Sequence, residues 1–115
     1  MRYSGTKKRM NRIVYKVVPK LTWNRFICST SYCFYGDEYD LRSGFIHLST
    51  MQQVPSVVLR KYPNMYNHYI LTVDLIKCST VKWEVKNDEL YPHVYGYLEL
   101  FRDIIDIEPL EEFLK

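Results

Sequence analysis

Short runs rich in β-branched and aromatic residues recur along the chain and predict β-strands. Residues 12–18 and 69–75 are of this kind, and the second run predicts a central strand. Residues 81–85 alternate apolar and polar side chains, so Trp83 shares one face with two valines while Glu84 lies on the other. Shorter strands are predicted within residues 33–35, 45–48, 97–100 and 103–108. Because the shortest of these seven runs give a weak signal, about five or six of them are expected to form strands.

Two helices are predicted, and both lie in the first half of the chain. The first covers residues 21–28, and its core face is drawn from Leu21, Trp23, Phe26 and Ile27. The second follows the strand at 45–48 and is capped by Ser49 or Thr50. Its apolar positions are Met51, Val54, Val57, Val58 and Tyr62.

Glycine, proline and aspartate mark the predicted connections. They predict loops at residues 36–40 and 89–96, and Asn87-Asp88 predicts a hairpin-like turn. The helices come early and the strands cluster late, which is typical of an α+β domain with a mixed or mostly antiparallel sheet. At 115 residues, the chain is long enough for one self-sufficient core, which we expect to span residues 12–115.

Positive charge is concentrated at the start of the chain. The net charge is +3, but the first twelve residues hold five of the 16 basic residues and no acidic one. We therefore expect residues 1–11 to be a basic, disordered leader on a slightly acidic domain, and we do not predict a nucleic-acid-binding protein. No apolar run approaches the length that spans a bilayer. Three cysteines without a CxxC pair favour reduced thiols in a cytoplasm.

A histidine and a serine stand out at the predicted strand–helix joint. His47 points away from its apolar neighbours in the strand, and Ser49 shares its side by the period of two. A titratable ring and a hydroxyl on a rigid joint can form part of a site. The alternative is a strand histidine that is hydrogen-bonded to a neighbour and has a structural role only.

Two further groups could complete such a site. The predicted loop at 89–96 carries His93 and Tyr95 between a proline and a glycine, and loops held by a scaffold often carry binding groups. Glu84 lies on the polar face of its strand, next to Trp83. With Glu84, the histidines at 47, 68 and 93 could ligate a metal, but the sequence contains no HxH or HExxH spacing, and no metal site is predicted.

The motifs around these residues are similar to those of a known family. GFIHLST at residues 44–50, KWE at 82–84 and YPHVYG at 91–96 resemble the bacterial family called domain of unknown function 952 (DUF952). Supporting matches are the IVYKVV segment at 13–18, Trp23, Asp40-Leu41, Gln53 and Val73-Asp74. The family usually begins its last motif with phenylalanine, where this chain has Tyr91. The resemblance runs from about residue 13 to residue 109, nearly the whole predicted domain.

The resemblance implies the ADP-ribosylation fold, an α+β architecture of two small sheets around a cleft that holds NAD in the enzymes. The strand–helix joint also looks like the His-x-His-Leu-Ser stretch of RNA 2′-phosphotransferases, which use NAD. This chain departs from that pattern because Phe45 replaces the first histidine. Lys16 is the nearest candidate for the first-strand histidine of such transferases, and a charged lysine cannot accept a hydrogen bond.

Three functions follow from this reading. The first is a cytoplasmic module that binds a nucleotide-like small ligand through His47, Ser49, Trp83, His93 and Tyr95. The second is a transferase that cleaves NAD, in which Glu84 would stabilise the developing positive charge and His47 would assist catalysis. In this transferase, Ser49 would hold an amide or ribose hydroxyl and Tyr95 would stack on a ring. His47 or His93 would bind phosphate or ribose oxygens. The third is a structural or interaction domain without a ligand. No cofactor other than NAD is implied, and the sequence does not set the oligomeric state.

Overall fold

Eight short strands in three antiparallel sheets form the framework of the protein, which the computed structural model describes at residues 12–78 and 80–115. The strands are β1 (Ile13–Pro19), β2 (Cys33–Phe34), β3 (Ile46–His47), β4 (His68–Asp74), β5 (Val81–Lys86), β6 (Glu89–Val94), β7 (Leu98–Glu99) and β8 (Ile104–Pro109). The helices are α1 (Lys20–Cys28), α2 (Glu38–Ser43), α3 (Val54–Lys61) and α4 (Leu110–Phe113). The predicted leader, residues 1–11, lies outside the described residues.

The sheets have the strand orders β1-β4-β8, β2-β7 and β3-β6-β5, and every pair of strands is antiparallel. The α+β class is confirmed. The expected five or six strands were too few, because two-residue strands such as β3 and β7 carry almost no periodic signal. The described part of the chain contains three sheets, where two were expected. The alternative of a mixed sheet is wrong, because the paired strands are antiparallel.

The predicted central position of β4 is confirmed, since it pairs with β1 on one side and β8 on the other. The strand β1 contributes to two hydrophobic clusters by the alternation of its side chains. Val14 and Val18 pack in one cluster with residues of β4, whereas Tyr15 and Val17 pack in the other with α3. Two backbone hydrogen bonds between Tyr15 and Ser49, both 2.8 Å long, join the edge of β1 to the residue two places after β3.

The helix α1 is confirmed, but its predicted core face is only half right. Trp23 is buried and Phe26 partly buried, and both rings pack against Phe34. Leu21 is 61% exposed because the 3.6-residue period places it on the opposite side of the helix from Trp23. Ile27, in the last turn, is also exposed.

No helix in the described part of the chain is long and apolar enough to cross a membrane.

The second predicted helix begins with a 3₁₀ turn at Met51–Gln53 and continues as α3. Pro55 lies in the first turn of α3, where its missing N–H would have no partner. Val54 and Val58 are buried as predicted, but Met51 is exposed because the 3₁₀ turn does not share the helical period of α3. The backbone N–H of Thr50 donates to the Gln53 side chain, which closes the start of the turn.

The helix α2 replaces most of the loop predicted at residues 36–40. Its start is a capping box in which Asp40 N donates to the Asp37 carboxylate and Asp37 N donates to the Asp40 carboxylate, both at 2.9 Å. Its end is Gly44, with a φ of 85°. With only six residues, α2 has too few turns for a periodic signal, so the sequence pattern missed it.

The loop predicted at 89–96 is also wrong, since residues 89–94 form β6, the middle strand of its sheet. Pro92 misled the prediction because proline is rare in central strands. The Pro92 carbonyl accepts a hydrogen bond from Leu48 N, on the side of β6 that faces β3. In an antiparallel ladder the nitrogen and the carbonyl of one residue point to the same neighbouring strand, so the missing N–H of Pro92 also faces β3. That side is where the two-residue β3 ends, so little pairing is lost. The predicted Asn87-Asp88 turn is confirmed, with φ angles of 53° and 64°.

The three cysteines are free, which agrees with the predicted reduced thiols. Cys28 is exposed, and the other two are partly buried. Burial raises the pKa of Cys78 to about 11, and the nearby Asp103 carboxylate adds to this effect. Cys78 is therefore a poor nucleophile, because the thiolate is the reactive form.

Candidate functional site

A cleft opens between β1, the end of β3 and the helix α3, and its empty volume is about 460 Å³ when the space at its mouth is included. Its lining residues come from four places: β1 (Tyr15, Lys16, Val17), the strand–helix joint (His47, Leu48, Ser49), α3 and the following residue (Val57, Arg60, Lys61, Tyr62), and the β5–β6 hairpin (Lys86, Tyr91, His93). The backbone bonds between Tyr15 and Ser49 hold the first two of these walls together.

The cleft is positively charged. Lys16, Arg60, Lys61 and Lys86 line it, and no carboxylate occurs among the described residues of its lining. Burial lowers the pKa of Lys61, and the neighbouring ammonium group of Lys86 lowers it further. Two like charges have thus been brought close together, and a bound anion would relieve their repulsion.

Tyr39 holds the two lysines at the rim of the cleft. Lys86 Nζ donates to the Tyr39 hydroxyl at 3.1 Å, and Lys61 Nζ lies 4.6 Å from the centroid of the same ring. The hydrogen bond from Lys86 lowers the pKa of Tyr39. Next to Lys61 on α3, Arg60 Nη2 donates to the Tyr91 hydroxyl at 3.2 Å. These contacts orient the cationic heads.

The buried end of the cleft contains an ion pair. Lys16 Nζ lies 2.7 Å from the Asp40 carboxylate and 3.7 Å from that of Asp37, and Lys16 is only 2% exposed. Burial works to lower the pKa of Lys16, but the two carboxylates outweigh it and the pKa is raised. Lys16 is therefore a buried cation, and the carboxylates that compensate it come from α2 and its N-cap residue rather than from the cleft lining.

Asp40 also fixes the first of the two cleft histidines. Its Oδ1 accepts from the backbone N of His47 at 3.1 Å and lies 2.7 Å from His47 Nδ1. The ring of Tyr39 stacks on the His47 ring at a centroid distance of 4.4 Å. The imidazole is thus held at one nitrogen and on one face, and Nε2 is the nitrogen left for a ligand.

His93 is fixed in the same way by a different carboxylate. Its Nδ1 lies 2.7 Å from Glu84 Oε1, which also accepts from the Tyr95 hydroxyl at 2.6 Å. These two hydrogen bonds lower the pKa of Glu84, and the bond from Tyr95 has the larger effect. Burial lowers the pKa of His93, so this imidazole is neutral near pH 7.

The two histidines face each other across paired strands. His47 of β3 and His93 of β6 are direct partners in the antiparallel register, and their ring centroids are 5.2 Å apart. Phe45 contacts both rings, at centroid distances of 4.5 Å to His47 and 4.2 Å to His93. The residue that replaces the expected histidine of the phosphotransferase motif therefore packs against the imidazole pair.

Three of the six candidate residues from the sequence lie together in the cleft: His47, Ser49 and His93. Glu84 and Tyr95 are absent from its lining: Glu84 contacts the lining residue His93, and the Tyr95 hydroxyl donates to Glu84. Trp83 packs against the larger hydrophobic cluster, because alternation along β5 turns it away from Glu84. His68 is also outside the lining, and its Nδ1 lies 2.8 Å from the carbonyl of Asn64.

The sequence prediction considered Lys16 but missed the other cationic residues of the cleft, Arg60, Lys61 and Lys86. Val57, Arg60 and Lys61 are spaced i, i+3 and i+4, so they share one face of α3, and this spacing could have indicated a common wall. Lys86 gave no comparable signal, since it is the last residue before a tight turn. Within the described residues, no group of three or more histidine, cysteine, aspartate or glutamate side chains could hold a metal ion.

The sequence matches one family over most of its length. The family described as protein of unknown function (DUF952) matches residues 17–105. No curated protein matches the chain significantly.

Solved structures show the same fold. The crystal structure of protein CC0527 from Caulobacter crescentus is 24% identical, with a TM-score of 0.75, over 84% of this chain and 83% of that one. The crystal structure of its double mutant gives the same values. Its solution NMR structure gives a TM-score of 0.70 over 85% and 84% of the two chains. The likeness supports the small antiparallel α+β fold.

Proposed function

The chain belongs to the DUF952 family, and we propose that it binds a small phosphate-bearing ligand of the nucleotide type in the cleft between β1, β3 and α3. The observation that carries this proposal is the grouping of Arg60, Lys61 and Lys86 around the cleft without a carboxylate among the described lining residues. A phosphate group would accept hydrogen bonds from these cations and lower their mutual repulsion.

The polar groups of the cleft fit such a ligand. The cleft is shallow, with an enclosed volume of only about 40 Å³, so a phosphate would enter it while the rest of the ligand lies across the open mouth. The hydroxyl-bearing residues Tyr15, Ser49, Tyr62 and Tyr91 lie among the cations. They offer hydrogen-bonding partners and aromatic surface for a sugar or a base. The ADP-ribosylation-like architecture implied by the motifs favours a nucleotide as well, as an analogy of fold.

Cleavage of NAD is the weaker alternative. The departure of nicotinamide leaves positive charge on the ribose, which an adjacent carboxylate would stabilise. The candidate for this role, Glu84, is outside the cleft lining and is already bonded to His93 and Tyr95. A cleft lined by lysine and arginine would destabilise the same charge. The geometry therefore favours binding of an anion over ADP-ribosyl transfer.

Substitution of Lys86 is expected to weaken the binding of ADP. Isothermal titration with ADP or pyrophosphate should show binding to the wild type, and Lys86→Ala should lower the affinity by about tenfold, because one charge-assisted hydrogen bond is lost. Lys77→Ala is the matched control, since Lys77 is exposed and absent from the cleft lining. The wild-type affinity should also fall as the salt concentration rises.

Absence of binding by the wild type would contradict the proposal and favour a structural or interaction domain. Equal losses in Lys86→Ala and Lys77→Ala would place the ligand outside this cleft. A melting curve of Lys86→Ala should stay close to that of the wild type, so that lost affinity is not confused with unfolding.

The same protein incubated with NAD should release no more nicotinamide than a Glu84→Gln variant. The reason is that the described cleft lining offers cations but no carboxylate to the ribose. Chromatographic detection of nicotinamide over time measures this. Turnover by the wild type that is lost in Glu84→Gln would instead support the transferase.

A further inference from the structure

We propose that His47 and His93 act as a general acid and a general base in the hydrolysis of a phosphodiester held in the cleft. This inference rests on the proposed function, because the cationic groups of the cleft must first bind the phosphate. It goes further by assigning a reaction and a substrate class to the same site.

The two imidazoles lie next to each other in the cleft. They are direct partners across β3 and β6, their ring centroids are 5.2 Å apart, and both line the cleft. Because the rings are in edge contact, a phosphate group would lie across their cleft-facing edges, where it could form a hydrogen bond to each ring. Acid–base catalysis at a phosphodiester requires one such group for the attacking water and another for the departing oxygen.

Each imidazole is oriented by its own carboxylate. Asp40 lies 2.7 Å from His47 Nδ1, and Glu84 lies 2.7 Å from His93 Nδ1. A carboxylate that accepts from Nδ1–H fixes the tautomer and leaves Nε2 to exchange a proton with a substrate. Asp40 and Glu84 are thus positioning residues, and their places outside the lining of the cleft agree with this role.

The surroundings of the two rings differ, and the difference assigns their roles. His93 is 5% exposed, and burial lowers its pKa, so it is neutral near pH 7 and its Nε2 can accept a proton. Both rings face a carboxylate at 2.7 Å, but the Asp40 side chain is fully buried whereas that of Glu84 is 39% exposed, so the negative charge of Asp40 is less screened by water and acts more strongly on the ring beside it. His93 is therefore the base and His47 the acid.

The reaction balances without any other reactant. A water oxygen attacks phosphorus and forms a new P–O bond while His93 Nε2 takes the water proton. The P–O bond to the leaving group breaks, and the departing oxygen takes a proton from His47 Nε2. The products are a phosphomonoester and an alcohol, and exchange of one proton with solvent at each ring restores the initial state. Lys61 and Lys86 would stabilise the negative charge on the phosphate oxygens.

Two substrates with different leaving groups separate the two roles. Thymidylyl-thymidine releases an alcohol, which needs a proton, whereas the 4-nitrophenyl ester of thymidine 5′-monophosphate releases nitrophenolate, which does not. His93→Gln should lower kcat/KM for both substrates by at least about 100-fold, because each needs an activated water. His47→Gln should cause a loss of that size for the dinucleotide only, and a loss below about tenfold for the nitrophenyl ester. Assays contain EDTA, which suppresses contaminating metal-dependent nucleases.

His68→Gln is the matched control, since the third histidine is bound to Asn64 and lies outside the lining of the cleft. It should leave both rates unchanged. Binding of thymidine 5′-monophosphate to each variant, measured by titration, separates this inference from the proposed function. Binding without hydrolysis of either substrate would overturn the catalytic inference and leave the proposed function in place. Absence of both binding and hydrolysis would reject the proposed function and the catalytic inference together. Equal losses on both substrates in His47→Gln would overturn its role as the acid.

Discussion

Replacement of Asp40 by asparagine is expected to lower the free energy of unfolding by about 3–5 kcal/mol, the range for removing one partner of a buried ion pair. The exposed fraction of Asp40 is only 1%. Its carboxylate accepts from Asp37 N and His47 N, contacts His47 Nδ1 and pairs with Lys16 Nζ. Asparagine could keep one or two of these bonds through its amide oxygen, but it would leave the buried ammonium group of Lys16 without its nearest negative charge.

Urea denaturation followed by circular dichroism measures this loss. Glu38→Gln is the matched control, because the Glu38–Arg42 pair lies on the surface of the same helix, and its loss should stay below about 1 kcal/mol. The double variant Lys16→Met/Asp40→Asn should recover part of the stability, since no buried charge then remains in the pair. A loss below about 1 kcal/mol in Asp40→Asn would contradict the assigned role of the ion pair.

Acid should remove the same contribution from the wild-type protein. Burial works to raise the pKa of Asp40, but the hydrogen bond with His47 and the charge of Lys16 outweigh it and lower the pKa from 3.8 to about 2. A carboxyl with a lowered pKa stabilises the fold fully above its unfolded value, and the contribution disappears as pH falls through the folded value. The stability difference between wild type and Asp40→Asn should therefore shrink as pH falls from about 4 to about 2.

Gly36→Ala should be the second large effect, with a loss of about 3 kcal/mol that combines a strained backbone with displacement of a buried carboxylate. Gly36 has a φ of 95°, which disfavours any residue with a Cβ. A Cβ at this position would also lie 2.5 Å from the Cβ of Asp40 and 2.7 Å from its Cγ. Since Asp40 is held on several sides, it cannot move aside without breaking its contact with Lys16.

Gly44→Ala separates the two causes of this loss. Gly44 has a similar φ of 85°, but no atom lies within 4 Å of the position its Cβ would take. Its substitution should cost only the backbone strain, about 1–2 kcal/mol. Melting curves and urea denaturation of both variants give the comparison. Equal losses at the two glycines would show that the contact with Asp40 does not contribute.

The parts of the fold that the sequence predicted are those with a local signal. The alternation in β5 and the β-branched run in β4 place these strands correctly, and the turn at Asn87-Asp88 follows from residues that tolerate positive φ. The helix α2 and the strand β6 were missed, because one has only six residues and the other includes a proline. Rules based on neighbouring residues predict a loop at both places. Only contacts between segments that are distant along the chain decide between a loop and a helix or strand.

The candidate site was predicted in part for a similar reason. His47 and Ser49 share a side by the period of two, and that period is local. Lys16 and Lys86 reach the cleft because β1 and the β5–β6 hairpin both pack near α3, which no spacing along the chain reveals. Asp40 illustrates the same limit, since its partners are 24 residues before it and seven after it.

The pair of backbone hydrogen bonds between Tyr15 and Ser49 has a consequence for how a ligand could be received. These bonds cross-link the open edges of two sheets at the floor of the cleft. The two walls therefore cannot swing apart like a hinge without breaking both bonds. A ligand is therefore accommodated by movement of the Arg60 and Lys61 side chains, which are exposed at the rim. Such a rigid cleft loses little backbone entropy when a ligand binds, and it selects ligands by size rather than adapting its shape to them.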